Sequence, residues 1–216
     1  LLKDQLARYV EERLIPAEDA VEEGDDIPAD IVAEFKAMGL FGLSVPEAYG
    51  GLGLTMVEEA QLVRILCRAS ITFRSLIGTT VGIGSQGIMI DGTPEQKAEW
   101  LPKFASGEAI ASFALTEPGA GSDAASLRAQ AVRDGDHYRI SGTKRYITNA
   151  PRATVFTLMA RTEAGVKGAA GISAFIVPAD LPGISLGKPD RKMGQRGAKT
   201  CDVILDDVLV PAANII

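Results

Sequence analysis

The hydrophobic period changes once along this chain, close to residue 110, and that change limits what the chain can fold into. Before it, apolar residues recur every three or four positions; after it, they come in short runs broken by Gly, Pro and Asp. Helices followed by strands predict an α+β fold: an N-terminal α-helical domain over residues 1–110, then a small antiparallel β-barrel or sandwich over 111–216. At 46% hydrophobic residues the chain has ample material for a core.

In the first half, Leu2, Leu6, Tyr9, Val10 and Leu14 share one helical face, and Pro16 is expected to stop that helix. A second helix is predicted from Pro28 to Met38, with Ile31, Val32, Phe35 and Met38 inward and Gly39 closing it. Residues 40–53 read as a glycine-rich loop. The capping boxes Thr55-x-x-Glu58 and Thr93-x-x-Gln96 open two more helices. The first is expected to bury Met56, Ala60, Val63 and Cys67, and Pro102 to end the second. The apolar, glycine-interrupted run 71–90 suits a buried helix. In the second half, Leu127–Val132 and Tyr138–Ser141 flank the hairpin signal Asp134-Gly-Asp136. Further strands are expected at 144–149, 155–160, 172–178 and 202–205.

Several functional classes are disfavoured. Residues 1–110 hold nine basic and eighteen acidic side chains, net −9, while residues 111–216 carry +3. An acidic first half argues against a nucleic-acid partner. No apolar run reaches the roughly 18 residues of a membrane span, since Arg74 interrupts the longest candidate. The N-terminus reads as an amphipathic helix rather than a secretory leader. Cys67 and Cys201, without metal-type spacing, read as reduced, buried thiols. The single histidine, His137, reads as a surface residue just after the hairpin turn, so no metal site is expected.

Chemistry concentrates in two segments. Phe113-Ala-Leu-Thr-Glu-Pro-Gly-Ala-Gly-Ser-Asp123 is an apolar strand that ends in a glycine-bearing, hydroxyl-bearing turn, a form that can cradle an anion. Ser141-Gly-Thr-Lys-Arg-Tyr-Ile-Thr-Asn149 is a strand that carries hydroxyls, an amide and an aromatic ring. Read alone, Phe113, Leu115 and Ile147 are expected to be ordinary core strand residues. Thr116 and Ser122 serve as turn hydroxyls, and Tyr146 as a half-buried strand aromatic. Arg191, Lys192, Arg196 and Lys199 form a basic loop, either a solvated charge run or a phosphate contact.

Together the two segments resemble the acyl-CoA dehydrogenase family, whose patterns TEPxAGSD and GxKxxITN they repeat almost letter for letter. Pro46-Glu-Ala-Tyr-Gly-Gly-Leu-Gly53, Gly92-Thr-Pro-Glu-Gln-Lys97 and Lys192-Met-Gly-Gln-Arg-Gly197 extend the likeness along the whole chain. The resemblance implies bound FAD, with Phe113, Leu115, Thr116, Gly121, Ser122, Tyr146, Ile147 and Thr148 facing the cofactor and Ser122 also near an acyl-CoA substrate. Phe113 stands where tyrosine is frequent and Tyr146 where tryptophan is frequent; stacking survives both changes, and a hydroxyl is lost at 113. It implies conversion of an acyl-CoA thioester to a trans-2-enoyl-CoA. The electrons would pass to an electron-transferring flavoprotein, in a homo-oligomer (tetramer or dimer) of the bacterial cytoplasm or mitochondrial matrix. Acyl-CoA oxidase or flavin monooxygenase chemistry on the same fold, or a non-catalytic subunit, are the rival expectations. In the family the catalytic glutamate lies in a later helical domain, so no catalytic residue is assigned here. Glu117 is expected to fix its turn instead.

Overall fold

The computed structural model describes residues 2–216. Helices fill the first half: α1 (Leu2–Tyr9), α2 (Glu18–Gly24), α3 (Ala29–Ala37), α4 (Met56–Leu66), α5 (Ile71–Gly78), α6 (Gln86–Asp91) and α7 (Pro94–Ser106). Both capping boxes form, with Thr55 and Thr93 accepting from the backbone N–H three residues on. Residues 71–91 are one helical run in which a π-turn, Thr79–Gly84, joins α5 to α6.

Three helical expectations are corrected. Pro16 does not stop the first helical run: it sits at the start of a 3-10 turn, Ile15–Ala17, that leads into α2. The π-turn Val10–Leu14 before it shifts the hydrogen-bond pattern, which accommodates the missing N–H. Pro102 lies inside α7, because Leu101, Phe104 and Ala105 bury around it and hold the last turn in place until Gly107 closes the helix. Helix α4 buries Leu62 and Leu66, while Met56 is 87% exposed and Cys67 is exposed too. The helix carries two apolar rows, and packing against α1 and α5 selects the Leu62–Leu66 row. Cys201 is buried, as expected.

The second half forms β1 (Ala111–Ala114), β2 (Gln130–Asp134), β3 (His137–Thr148), β4 (Val155–Arg161), β5 (Ile172–Pro178), β6 (Ile184–Leu186) and β7 (Thr200–Pro211). They make one sheet in the order β1-β4-β2-β3-β7-β6, with β5 also paired to β4. The α+β class is as expected. The sheet, however, is mixed rather than purely antiparallel: β1–β4 and β2–β4 run parallel and the other pairs antiparallel. The long excursions between those parallel partners make such pairing possible. Two expected strands, 138–141 and 144–149, fuse into the single β3, whose pairing with β7 slips between Ile140 and Gly142 and again between Lys144 and Ile147. His137 opens β3 on the surface.

One apolar core lies among the helices, around Phe35, Phe41 and Phe73; another lies in the sheet, around Phe156 and Phe175. A third cluster joins the halves, with Val45, Ile88, Leu101 and Phe104 packed on Ala111, Val155 and Ile176. Polar ties reinforce that joint. Thr157 Oγ1 donates to Gly84 O at 2.7 Å, and Gln96 Nε2 donates to Ala213 O and Ile215 O, both at 2.8 Å. The two halves therefore present a fixed seam, and the candidate site opens along it.

Candidate functional site

The ends of β1 and β3 meet at one wall. Arg145 N donates to Thr116 O at 2.7 Å, and Ser112 Oγ donates to Thr148 O at 2.6 Å. Beneath them Lys144, fully buried, donates from Nζ to Leu115 O at 3.1 Å and to Glu117 Oε1 at 2.7 Å. The Glu117 carboxylate also accepts from Arg128 N at 2.6 Å and Ala129 N at 2.9 Å. Burial pushes the Glu117 carboxyl up, but these donors together hold it below the usual carboxylate value. Burial likewise pushes the Lys144 ammonium down, opposed by Glu117. Glu117 fixes its turn, as expected, through these donors and through the mutual bonds Glu117 N to Ala120 O and Ala120 N to Glu117 O.

In front of this wall lies a cleft of about 390 Å³, within the range of roughly 300–1,000 Å³ typical of small-molecule sites. Phe113, Leu115, Thr116, Tyr146, Ile147 and Thr148 line it, six of the eight residues expected to face a cofactor. Gly121 and Ser122 are not among its lining residues; they lie exposed on the following turn. The opposite side comes from α5 and the π-turn: Arg74, Ser75, Gly78, Thr79 and Ile83. A π-turn often marks a functional site. A Cβ at Gly78 would stand 2.7 Å from the Arg74 guanidinium, so glycine there leaves room for the arginine to lie along the cleft. On the far side of Phe113 and Leu115 an apolar groove of about 310 Å³ continues past Ala124, Met159 and Ile172.

The backbone at the cleft is unusual in three places. Tyr146, Asn149 and Gln195 all take left-handed φ, at +58°, +61° and +53°. For residues with a Cβ this conformation is uncommon and persists only where surroundings enforce it. At Tyr146 it accompanies the second slip of β3 and leaves the ring 59% exposed at the cleft edge, with the Arg145 guanidinium 4.9 Å from the ring centroid. Asn149 is held by its own side chain, whose Nδ2 bonds Ser75 O and Thr79 Oγ1.

Gln195 belongs to the basic loop, and the structure brings that loop to the cleft. Thr72 Oγ1 donates to Arg196 O at 3.0 Å, and Gly197 N donates to Asp25 Oδ1 at 2.7 Å. Gly197 has φ +93°, and a Cβ there would lie 2.8 Å from Val21, so only glycine fits. Lys192 turns inward onto Gln195 O and Ala198 O, while Lys199 faces Asp26 at 3.8 Å; Arg191 and Arg196 stay exposed.

This arrangement suits a planar ligand with polar edges. Phe113, Leu115 and Ile147 give an apolar surface, and among the described residues the Thr116 and Thr148 hydroxyls have no hydrogen-bond partner, leaving them open to a ligand. No carboxylate is among the lining residues. Sequence reasoning missed Arg74, Ser75, Gly78, Thr79, Ile83 and Gln195. The lone charge of Arg74 within an apolar helical run was the signal that could have found the opposite side.

Comparison with known proteins bears on the same segments. Residues 1–108 match the family model "Acyl-CoA dehydrogenase, N-terminal domain", and residues 112–208 match "Acyl-CoA dehydrogenase, middle domain". An acyl-CoA dehydrogenase of Bacillus subtilis is 35% identical over all of this chain, which spans 57% of that protein. A probable acyl-CoA dehydrogenase of the same organism is 41% identical over 96% of this chain, which spans 34% of it. A glutaryl-CoA dehydrogenase from Mycobacterium smegmatis, solved in complex with FADH2, superposes with a TM-score of 0.90 at 34% identity, covering 99% of this chain and 54% of that one.

Proposed function

The chain belongs to the acyl-CoA dehydrogenase family of oxidoreductases, and from that premise we propose that it supplies the N-terminal and middle domains, residues 1–110 and 111–216, of an FAD-dependent acyl-CoA dehydrogenase. The carrying observation is that Leu115–Thr116 and Tyr146–Thr148, from strands separated in sequence, form one wall of a single cleft.

In this reading Phe113, Leu115 and Ile147 hold the face of the flavin ring, and Tyr146 stacks at its edge. Thr116 and Thr148 direct hydroxyls to its polar rim. Gly121 and Ser122, on the exposed turn, meet the pyrophosphate, and Ser122 also stands near the acyl-CoA. FAD bound there would supply the acceptor for a hydride from the β-carbon of an acyl-CoA, the chemistry that turns the thioester into a trans-2-enoyl-CoA once a base outside these residues takes the α-proton. The chain's own part is positioning and water exclusion. No base is assigned within it; Glu117 is buried against Lys144 behind the wall.

An electron-transferring flavoprotein would take the electrons, and a homo-oligomer of the bacterial cytoplasm or mitochondrial matrix would be the working form. No described helix is long and apolar enough to cross a membrane. The test is anaerobic mixing of the FAD-loaded full-length protein with acyl-CoA thioesters of varied chain length. Bleaching of the flavin with formation of the enoyl-CoA is expected. A flavin that stays oxidised with every thioester would refute the reading.

A further inference from the structure

We propose that Glu117 and Lys144 are a positioning pair for the cleft, setting where the Leu115–Thr116 and Tyr146–Thr148 backbones stand relative to a bound flavin. The proposal deepens the flavin reading and rests on it, because it assigns a task to two residues that touch no ligand.

Their placement is what distinguishes them from an ordinary ion pair. The other ion pairs among the described residues involve at least partly solvent-exposed side chains, whereas this one is 0% and 6% exposed. An exposed pair contributes little to structure, while a buried charge must have its partners in place. Here those partners are parts of the wall. Lys144 lies two residues before Tyr146 on β3 and sends Nζ across to the carbonyl of Leu115 at the end of β1. Glu117, one residue beyond Thr116, receives that same ammonium and gathers the N–H groups of Arg128 and Ala129, which lead into β2.

Three strands are thus fixed at one buried node, directly behind the cleft-facing side chains. The neighbouring bond from Arg145 N to Thr116 O closes the register beside it. β3 is irregular at this point, with Tyr146 left-handed and the β7 pairing displaced between Lys144 and Ile147. The β3–β7 ladder is interrupted over residues 145 and 146, so the node and the Arg145 N bond to Thr116 O carry the wall across that gap.

The experiment compares Lys144→Met, Glu117→Gln and the double variant in the full-length protein. Lys103→Met, which removes the exposed pair with Glu99, is the control. Lys144→Met leaves Glu117 charged without its partner and should lower the melting temperature. The double variant leaves no charge unpaired and should regain much of it. Flavin affinity should not return with it, because Leu115 O still lacks its donor; about ten-fold weaker binding and an altered visible flavin spectrum are expected.

A second reading needs no ligand. In the double variant, exchange of the Arg145 amide should quicken by about ten-fold relative to the β4–β5 ladder. Recovery of stability and flavin affinity together, or unchanged Arg145 exchange, overturns the proposal. If the wild-type protein binds no flavin, the flavin reading fails and amide exchange alone decides the matter. If Lys144→Met does not fold, Glu117→Gln, which keeps the side chain's shape and leaves Lys144 without its carboxylate, decides by exchange alone: a quickened Arg145 amide supports the proposal and an unchanged one overturns it.

Discussion

Asn149 Nδ2 lies 2.7 Å from the carbonyl oxygen of Ser75, a bond from a buried side chain that joins the end of β3 to the middle of α5 beside the cleft. The same amide reaches Thr79 Oγ1 at 2.9 Å, and the Asn149 N–H donates to Lys199 O at 2.8 Å. One buried side chain thereby sets the spacing between the two sides of the site. Replacing Asn149 with Asp keeps the shape but turns a carboxylate towards the Ser75 carbonyl. Denaturant unfolding should show a loss of about 1–3 kcal/mol or more, and cleft ligands should bind more weakly.

Thr116 and Thr148 test the cleft from the opposite direction, because their hydroxyls bond no group among the described residues. Thr116→Val and Thr148→Val should leave the melting temperature nearly unchanged. Each should weaken FAD binding by about 0.5–1.5 kcal/mol, read by titration of flavin fluorescence. Unchanged affinity in both variants would place the flavin elsewhere.

Glu117 predicts an acid-side dependence of stability. Burial raises its pKa, but the Lys144, Arg128 and Ala129 donors together outweigh burial, so the folded value lies below the ordinary 4.5. A depressed carboxyl stabilises the fold above its unfolded pKa, and that contribution is lost as pH falls through the folded value. Melting temperature measured at descending pH should therefore fall below about pH 4.5, and Glu117→Gln should flatten that part of the curve.

Gly197 predicts a loosening of the loop that carries Gln195. An added Cβ meets Val21 at 2.8 Å and Thr72 at 3.0 Å, at φ +93°. Gly197→Ala should cost about 1–3 kcal/mol. It should also speed amide exchange and proteolysis in residues 191–199 well before the sheet is affected.

What was legible in the sequence was local. Thr55 and Thr93 announced helix starts because a capping box is a contact within four residues. Gly135 and its aspartates announced the hairpin for the same reason, and the family resemblance carried by residues 113–123 and 144–149 pointed to six side chains that share the cleft. What was hidden depended on partners distant in sequence. The buried row of α4 was chosen by α1 and α5, and Pro102 stayed helical because of what Leu101 and Phe104 pack against. The parallel pairing of β1 with β4 joins segments more than a hairpin apart. Arg74 and Gln195 became cleft residues only through the seam between the halves, and no periodicity encodes that seam.

A crystal structure of the full-length protein with FAD bound tests most directly whether the wall formed by Leu115–Thr116 and Tyr146–Thr148 is the seat of the flavin. The predicted result has the ring against Leu115 and Ile147, with its polar edge at the Thr116 and Thr148 hydroxyls and the node of Glu117 and Lys144 intact behind them. A ring bound away from these residues would contradict it.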